Sequence, residues 1–173
     1  MTLLDRFKKI KTFVLDVDGV LTNGLVLINE AGDQLRQMHI KDGYALQLAV
    51  KTGYRVVIVS GGDSESVRLR MEKLGVKNVY LNVKDKKGML TEYISAHGLS
   101  WEETLFMGDD MPDYAAMQLV GLPCAPADAA PEVKAVSRYI SPFNGGAGCV
   151  REVMEKVLKL NNHWPSDTDI AGK

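Results

Sequence analysis

Cysteine is nearly absent. Cys124 and Cys149 are the only two in 173 residues, far apart and outside any C-x-x-C frame, which argues against a disulfide framework or a cysteine zinc site. They read as two small buried residues in a reducing cytoplasm. Excess charge of either sign is also missing. A formal net charge of -1 offers no electrostatic footprint for nucleic acid or an anionic membrane. No apolar run is long enough to span a bilayer, and Met1 to Lys11 is polar and basic, without the apolar stretch of a signal peptide. His39, His97 and His163 show no metal-ligand spacing. The hydrophobic share of 46% against 25% charged is that of one soluble globular domain with a full core.

Against this plain background one stretch stands out, Phe13 to Thr22. Phe13-Val14-Leu15 reads as a buried strand, and it ends in Asp16-Val17-Asp18-Gly19. Side chains at i and i+2 of a strand share a face, so Asp16 and Asp18 can enter one crevice at its carboxyl end. Gly19 lets the chain turn away without a Cβ in that space. Paired carboxylates repel unless a divalent cation, a lysine or a shared proton offsets their charge.

Asn23 to Ile40 reads as a β-hairpin with its turn at Asn29-Glu30-Ala31-Gly32-Asp33, placed where it can cover the crevice. A helix opens at Asp42-Gly43 and closes at Thr52-Gly53. Strands follow at Arg55–Val59, Val79–Leu81, Thr104–Met107 and Leu122–Ala125, with a short one at Tyr139-Ile140. Helices separate them, and a last amphipathic helix follows Gly145-Gly146-Ala147-Gly148. The alternation predicts an α/β fold, a Rossmann-like parallel sheet with helices on both faces and an inserted hairpin at about 23–40. Residues 1–161 form the expected single domain, and 162–173 a flexible C-terminal tail. The acids, Ser60-Gly61-Gly62 and Gly108-Asp109-Asp110 all fall at strand carboxyl ends, where ligands of such sheets bind.

Asp16-Val17-Asp18-Gly19, Ser60-Gly61, Lys86 and Gly108-Asp109-Asp110-Met111-Pro112-Asp113 together resemble the haloacid dehalogenase superfamily of phosphohydrolases, over about Lys11 to Asn161. The resemblance implies Asp16 as nucleophile and Asp18 as general acid and base. It implies Ser60 and Lys86 as phosphate-oxygen donors, and Mg2+ held by Asp16, the Asp18 carbonyl and Asp109. Lys86 is chosen over Lys84 and Lys87 by family spacing alone. Asp113 fits better as a partner of Lys86 or a helix cap than as a metal ligand, and Asp110 as a supporting partner. The chemistry suits the types: an aspartate is already ionised at neutral pH, and Ser60 with the Gly61 amide offers neutral donors.

No separate cap domain is encoded, since only a hairpin and one helix lie between the D-x-D and Ser60. Asp16 to Gly43, Gly108 to Asp113 and Gly145 to Glu152 resemble the 3-deoxy-D-manno-octulosonate 8-phosphate phosphatases, capless members in which one subunit of a homotetramer covers the next. That resemblance implies a small sugar-acid phosphate substrate. It would face His39, Ile40, Lys41, Asp42 and Gly43, with Gln47, Gly61, Gly62 and Arg70 nearby. The chain departs from the group at three positions, where Gly62, Lys41 and Gln47 replace arginines, which weakens bidentate reading of an anion. Glutamate at position 62 marks relatives acting on a nine-carbon acid phosphate, so Gly62 leans toward eight carbons. Two rival classes remain. A receiver domain takes its acid pair and phosphoacceptor from different strands, whereas Asp16 and Asp18 share one. An idle oligomerisation module would be expected to lose one of Asp16, Asp18, Ser60, Lys86 or Asp109, and all five are present.

Overall fold

The computed structural model describes residues 1–164. Six strands form one parallel sheet: β1 (Thr12–Leu15), β4 (Arg55–Val59), β5 (Asn78–Tyr80), β6 (Thr104–Met107), β7 (Leu122–Ala125) and β8 (Tyr139–Ile140), in the order β5-β4-β1-β6-β7-β8. The chain runs outward from β1 through β4 to β5, then returns across the sheet to β6 and builds the other half. The reversal lies beside β1, so the crevice of the sheet opens between the ends of β1 and β6.

Alternation along the strands divides the core. Phe13, Leu15, Val56, Ile58, Leu105 and Met107 pack on one face with residues of α1 (Leu3–Lys9), α2 (Ile40–Lys51), α3 (Glu65–Lys73) and α7 (Cys149–Leu160). Val14, Val57, Val59 and Phe106 face the other way, toward α4 (Lys86–Ala96), α5 (Met111–Met117) and α6 (Pro131–Val136). Both faces are covered, as the apolar strands require. The hairpin, β2 (Leu27–Ile28) paired antiparallel with β3 (Gln34–Leu35), forms a separate two-stranded sheet. Between β1 and β4 only this hairpin and α2 are inserted, and no cap domain is present among the described residues.

The structure differs locally from the sequence reading. The basic N-terminus, read only as not being a signal, forms α1, started by a reciprocal cap between Thr2 and Asp5 and anchored by buried Phe7. The hairpin strands are two residues each, because Leu25, Leu27 and Ile28 find little to pack on within the chain. Most of the stretch read as a tail lies outside the described residues. Within its described part, His163 Nδ1 is hydrogen-bonded to the Tyr54 hydroxyl at 2.9 Å. Trp164 stacks edge-on against Tyr44 and lies under the Arg151 guanidinium.

Candidate active site

The site is built by the geometry of β1 and its two neighbours. Asp16 directly follows β1, and its N–H donates to the Met107 carbonyl at 3.1 Å, so the last sheet bond places it at the crevice. The chain then makes a tight turn over Val17–Leu21 that departs from helical dihedrals at Asp18 and Gly19. Gly19 has φ 88°, and a Cβ there would collide with the Asp109 carboxylate. Glycine is therefore required twice over, by its dihedral and by the close approach. A second glycine contact braces this turn from outside: a Cβ at Gly145 would strike the Gly19 carbonyl. The Gly145-Gly146 pair thus lies directly against the backbone that carries Asp18.

Lys86 begins α4 and reaches the centre of the site. Its Nζ lies 2.8 Å from Asp16 Oδ1 and 2.6 Å from Asp113 Oδ1, with only 3% of the side chain exposed. Asp113 Oδ2 accepts the Asp109 N–H at 3.0 Å. Both oxygens of Asp113 are thereby used, and it holds Lys86 and the β6 end in place. Asp110 accepts the Met111 N–H at the start of α5. On the β4 side, Ser60 is buried, and its Oγ accepts the Gly62 N–H at 3.2 Å.

Carboxylate oxygens of Asp16, Asp109 and Asp113 lie within 4.8 Å of one another. Three acids around one lysine leave surplus negative charge. Burial, and after it the charge of Asp113, pushes the Asp16 carboxyl up to about 8, against the pull of Lys86 and the Val17 N–H. Burial, with Asp113 and Asp110, pushes Asp109 up to about 6. The two neighbouring acids hold Lys86 in its charged form, above its ordinary value, against the opposing effect of burial. Such a cluster is relieved by a hard divalent cation, and since Asp113 is committed to Lys86, Asp16 and Asp109 are the side chains left to hold it.

Asp16, Asp18, Ser60, Gly61, Gly62, Lys86 and Asp109 all line one crevice of about 300 Å³. Of the residues expected around the sugar, Gly61 and Gly62 line it, whereas His39, Ile40, Lys41, Asp42, Gly43, Gln47 and Arg70 do not within one copy of the chain. His39 caps α2 by accepting the Lys41 N–H. Asp42 is buried, accepts the Arg151 N–H at 2.7 Å and is raised to about 6, chiefly by burial. Gly43 packs under the Arg70 guanidinium, Gln47 reaches back to the Gly43 carbonyl, and Ile40 is exposed. Lys41 and His39 line a separate cavity of about 420 Å³ beside α7. The sequence reading did not single out Gly24, which lines the crevice, or Arg36, which from just beyond β3 donates from Nε to Asp18 Oδ1 at 2.6 Å. No local signal marks Arg36, because its partner lies 18 positions away across the hairpin.

Residues 79–153 match the family model for haloacid dehalogenase-like hydrolases. The 3-deoxy-D-manno-octulosonate 8-phosphate phosphatase of Salmonella typhi is 31% identical over 156 residues, 90% of this chain and 83% of that protein. The crystal structure of the phosphatase of that name from Moraxella catarrhalis, in complex with magnesium, phosphate and KDO, superposes with a TM-score of 0.89. It is 32% identical and the match covers 92% of each chain. The cobalt-bound deoxy-D-mannose-octulosonate 8-phosphate phosphatase of Haemophilus influenzae gives 0.86 at 30% identity, covering 91% of this chain and 92% of that one. With its acids, serine and lysine assembled at one crevice, this chain belongs to the haloacid dehalogenase-like hydrolases and is a phosphatase.

Proposed function

We propose that the protein is a magnesium-dependent phosphomonoesterase that acts through an aspartyl phosphate on 3-deoxy-D-manno-octulosonate 8-phosphate, for lipopolysaccharide precursor synthesis. The observation that carries the chemistry is the Asp16–Lys86–Asp113–Asp109 cluster at the switch point of the sheet, with Ser60 across from it. Asp16 would attack phosphorus in line as the ester P–O bond breaks, and Asp18 would give its proton to the leaving oxygen. Asp18 would then take a proton from the water that attacks phosphorus and releases Asp16 and phosphate. Lys86, the Ser60 hydroxyl and the Gly61 N–H would hold the phosphoryl oxygens. Magnesium, held by Asp16, Asp109 and the Asp18 carbonyl, would neutralise phosphoryl charge. Residues 1–161 serve as one catalytic domain, and two free buried thiols suit a cytoplasmic setting.

The substrate is tested by kcat/KM across sugar phosphates of six to nine carbons, with and without the 2-keto acid. The eight-carbon acid is expected to lead, and Lys41→Ala and Arg70→Ala to depress its kcat/KM far more than that of an aryl phosphate. A flat panel, or a preference for esters lacking the carboxylate, overturns the substrate; a lead for nine carbons moves it to the larger acid.

We also propose a homotetramer, held partly by the hairpin, in which one subunit covers the site of the next. Leu25, Leu27 and Leu35 are 70%, 69% and 49% exposed on the hairpin, an apolar patch that a monomer rarely carries. Light scattering at micromolar protein is expected to give four times the chain mass, and a monomer would refute this.

Magnesium should stabilise the fold in a pH-dependent way. The Asp16 carboxyl is raised to about 8 from 3.8, so its contribution to stability is full below the unfolded value and is lost as pH rises through about 8. Cation binding needs the ionised form and runs the opposite way. At a hundredfold excess over Kd the gain is about 2.7 kcal/mol, roughly 5–10 °C in Tm for a chain of this size. The increment is expected to be larger at pH 8.5 than at pH 5.5. Calorimetric scans showing the same increment at both would contradict the assignment of Asp16 as a ligand.

A further inference from the structure

The apolar residues of the hairpin point outward, but one polar side chain does not. The Arg36 side chain is only 9% exposed. Its guanidinium turns toward the crevice wall and grips Asp18 twice, Nε to Oδ1 at 2.6 Å and Nη2 to Oδ2 at 3.3 Å. Nη1 donates to the Gln34 carbonyl at 3.3 Å, so the fork is aimed from its own strand. A second observation comes from the opposite wall. A Cβ added at Gly62 would lie 3.4 Å from Arg36 Nη2, 3.4 Å from Asp18 Oδ2 and 3.6 Å from Ser60 Oγ. Gly62 is not among the residues with positive φ, so its backbone does not demand glycine. The space before it is taken by the arginine.

We propose that Arg36 is a substrate-binding residue: the hairpin delivers its guanidinium to the phosphoryl group of the ester, at the edge formed by Ser60 and Gly62. A rigid fork of N–H donors matches phosphate as well as carboxylate, and a dianionic phosphoryl group outcompetes the single carboxylate of Asp18 for it. The exchange leaves Asp18 free to face the leaving oxygen. Arg36 reads the phosphate and not the sugar, so its loss weakens every phosphate ester alike, unlike that of Lys41 or Arg70. The inference rests on the phosphatase reading, and its test separates the two.

The test compares Arg36→Ala, Arg36→Lys and the double variant Arg36→Ala/Gly62→Arg with the wild type. It measures KM for an aryl phosphate, Kd for inorganic phosphate by calorimetry with magnesium present, and Tm. Arg36→Ala is expected to raise both constants by roughly 30-fold. Arg36→Lys should recover part of the loss. Free guanidinium at non-denaturing millimolar concentration, and the arginine relocated to position 62, should each recover most of it. Phosphate binding by Arg36→Ala equal to or tighter than wild type would overturn the proposal. So would a loss, accompanied by a lower Tm, that neither guanidinium nor relocation restores, which would make Arg36 a structural tie. Wild-type inactivity on every ester would refute the phosphatase reading, while the calorimetric comparison would still decide the role of Arg36.

Discussion

Asp16→Asn is expected to lower kcat by about four orders of magnitude or more, as removal of a covalent nucleophile does, with little loss of fold. Asparagine keeps the shape of Asp16 and can still accept the Val17 N–H, which Oδ1 now does at 2.7 Å. It removes one charge from a buried cluster whose burial and neighbouring Asp113 already disfavour ionisation. The Tm without magnesium should therefore stay near the wild-type value. The stabilisation by magnesium should shrink, since one carboxylate ligand is gone. Near-normal turnover by a clean preparation of this variant would refute the nucleophile. A collapsed Tm would instead mean that Asp16 is needed to hold Lys86, so both readouts belong in one experiment.

The second large effect is expected from Lys86→Met, and it should strike activity and stability together. Lys86 is wedged between Asp16 and Asp113 with 3% of its side chain exposed. Removing the ammonium leaves the buried Asp113 without its counter-charge and beside Asp16, and breaking such a pair costs about 3–5 kcal/mol. The sign of the linkage agrees. Lys86 is raised by its two acids, so its stabilisation is complete below its unfolded pKa and is lost only as pH rises through the still higher folded value. At neutral pH the whole loss should be visible. Turnover should fall by about 10²–10³-fold or more, the usual cost of one preorganised donor to a developing anion. Lys86→Arg is not expected to rescue, because a planar guanidinium does not fit a slot shaped for a point charge. Magnesium should restore part of the lost Tm, since the cation supplies some of the missing positive charge. Retention of more than a tenth of wild-type kcat would remove Lys86 from the phosphate site.

The parts of this site legible in the chain are those written in local spacing. Asp16 and Asp18 follow an apolar run at a separation that one strand converts directly into a position. Ser60 follows Val56 to Val59, and Asp109 follows Leu105 to Met107, in the same way. A parallel sheet puts every strand's carboxyl end on one edge, so the alternation of strands and helices was enough to place these residues on that edge; that β4 and β6 flank β1 comes from the sheet order. Among Lys84, Lys86 and Lys87 only family spacing chose Lys86, and no physical property of the sequence did. Burial does: the buried ammonium of Lys86 sits between Asp16 and Asp113.

Other features depended on approaches between distant segments. Asp113 looked like a helix cap or a lysine partner, and it is the packing of α4 beside α5 that makes it the second anchor of Lys86. Gly145 gains its meaning from the Gly19 carbonyl, more than a hundred residues earlier. Asp42, which the family resemblance places beside the sugar, accepts the Arg151 N–H near the start of α7. Arg36 on a polar hairpin strand is unremarkable until the hairpin folds over Asp18.

By itself, then, the sequence determined the kind of fold and the strand-end positions of Asp16, Asp18, Ser60 and Asp109, because side-chain periodicity and strand ends are properties of a few consecutive residues; the class of chemistry came from the resemblance of those motifs to a known family. Only the tertiary structure decided which lysine is buried, which glycines brace the turn after β1 and which arginine reaches Asp18. Those depend on how closely segments far apart in the chain approach one another. That distance is set by packing over the whole molecule and leaves no trace in local spacing.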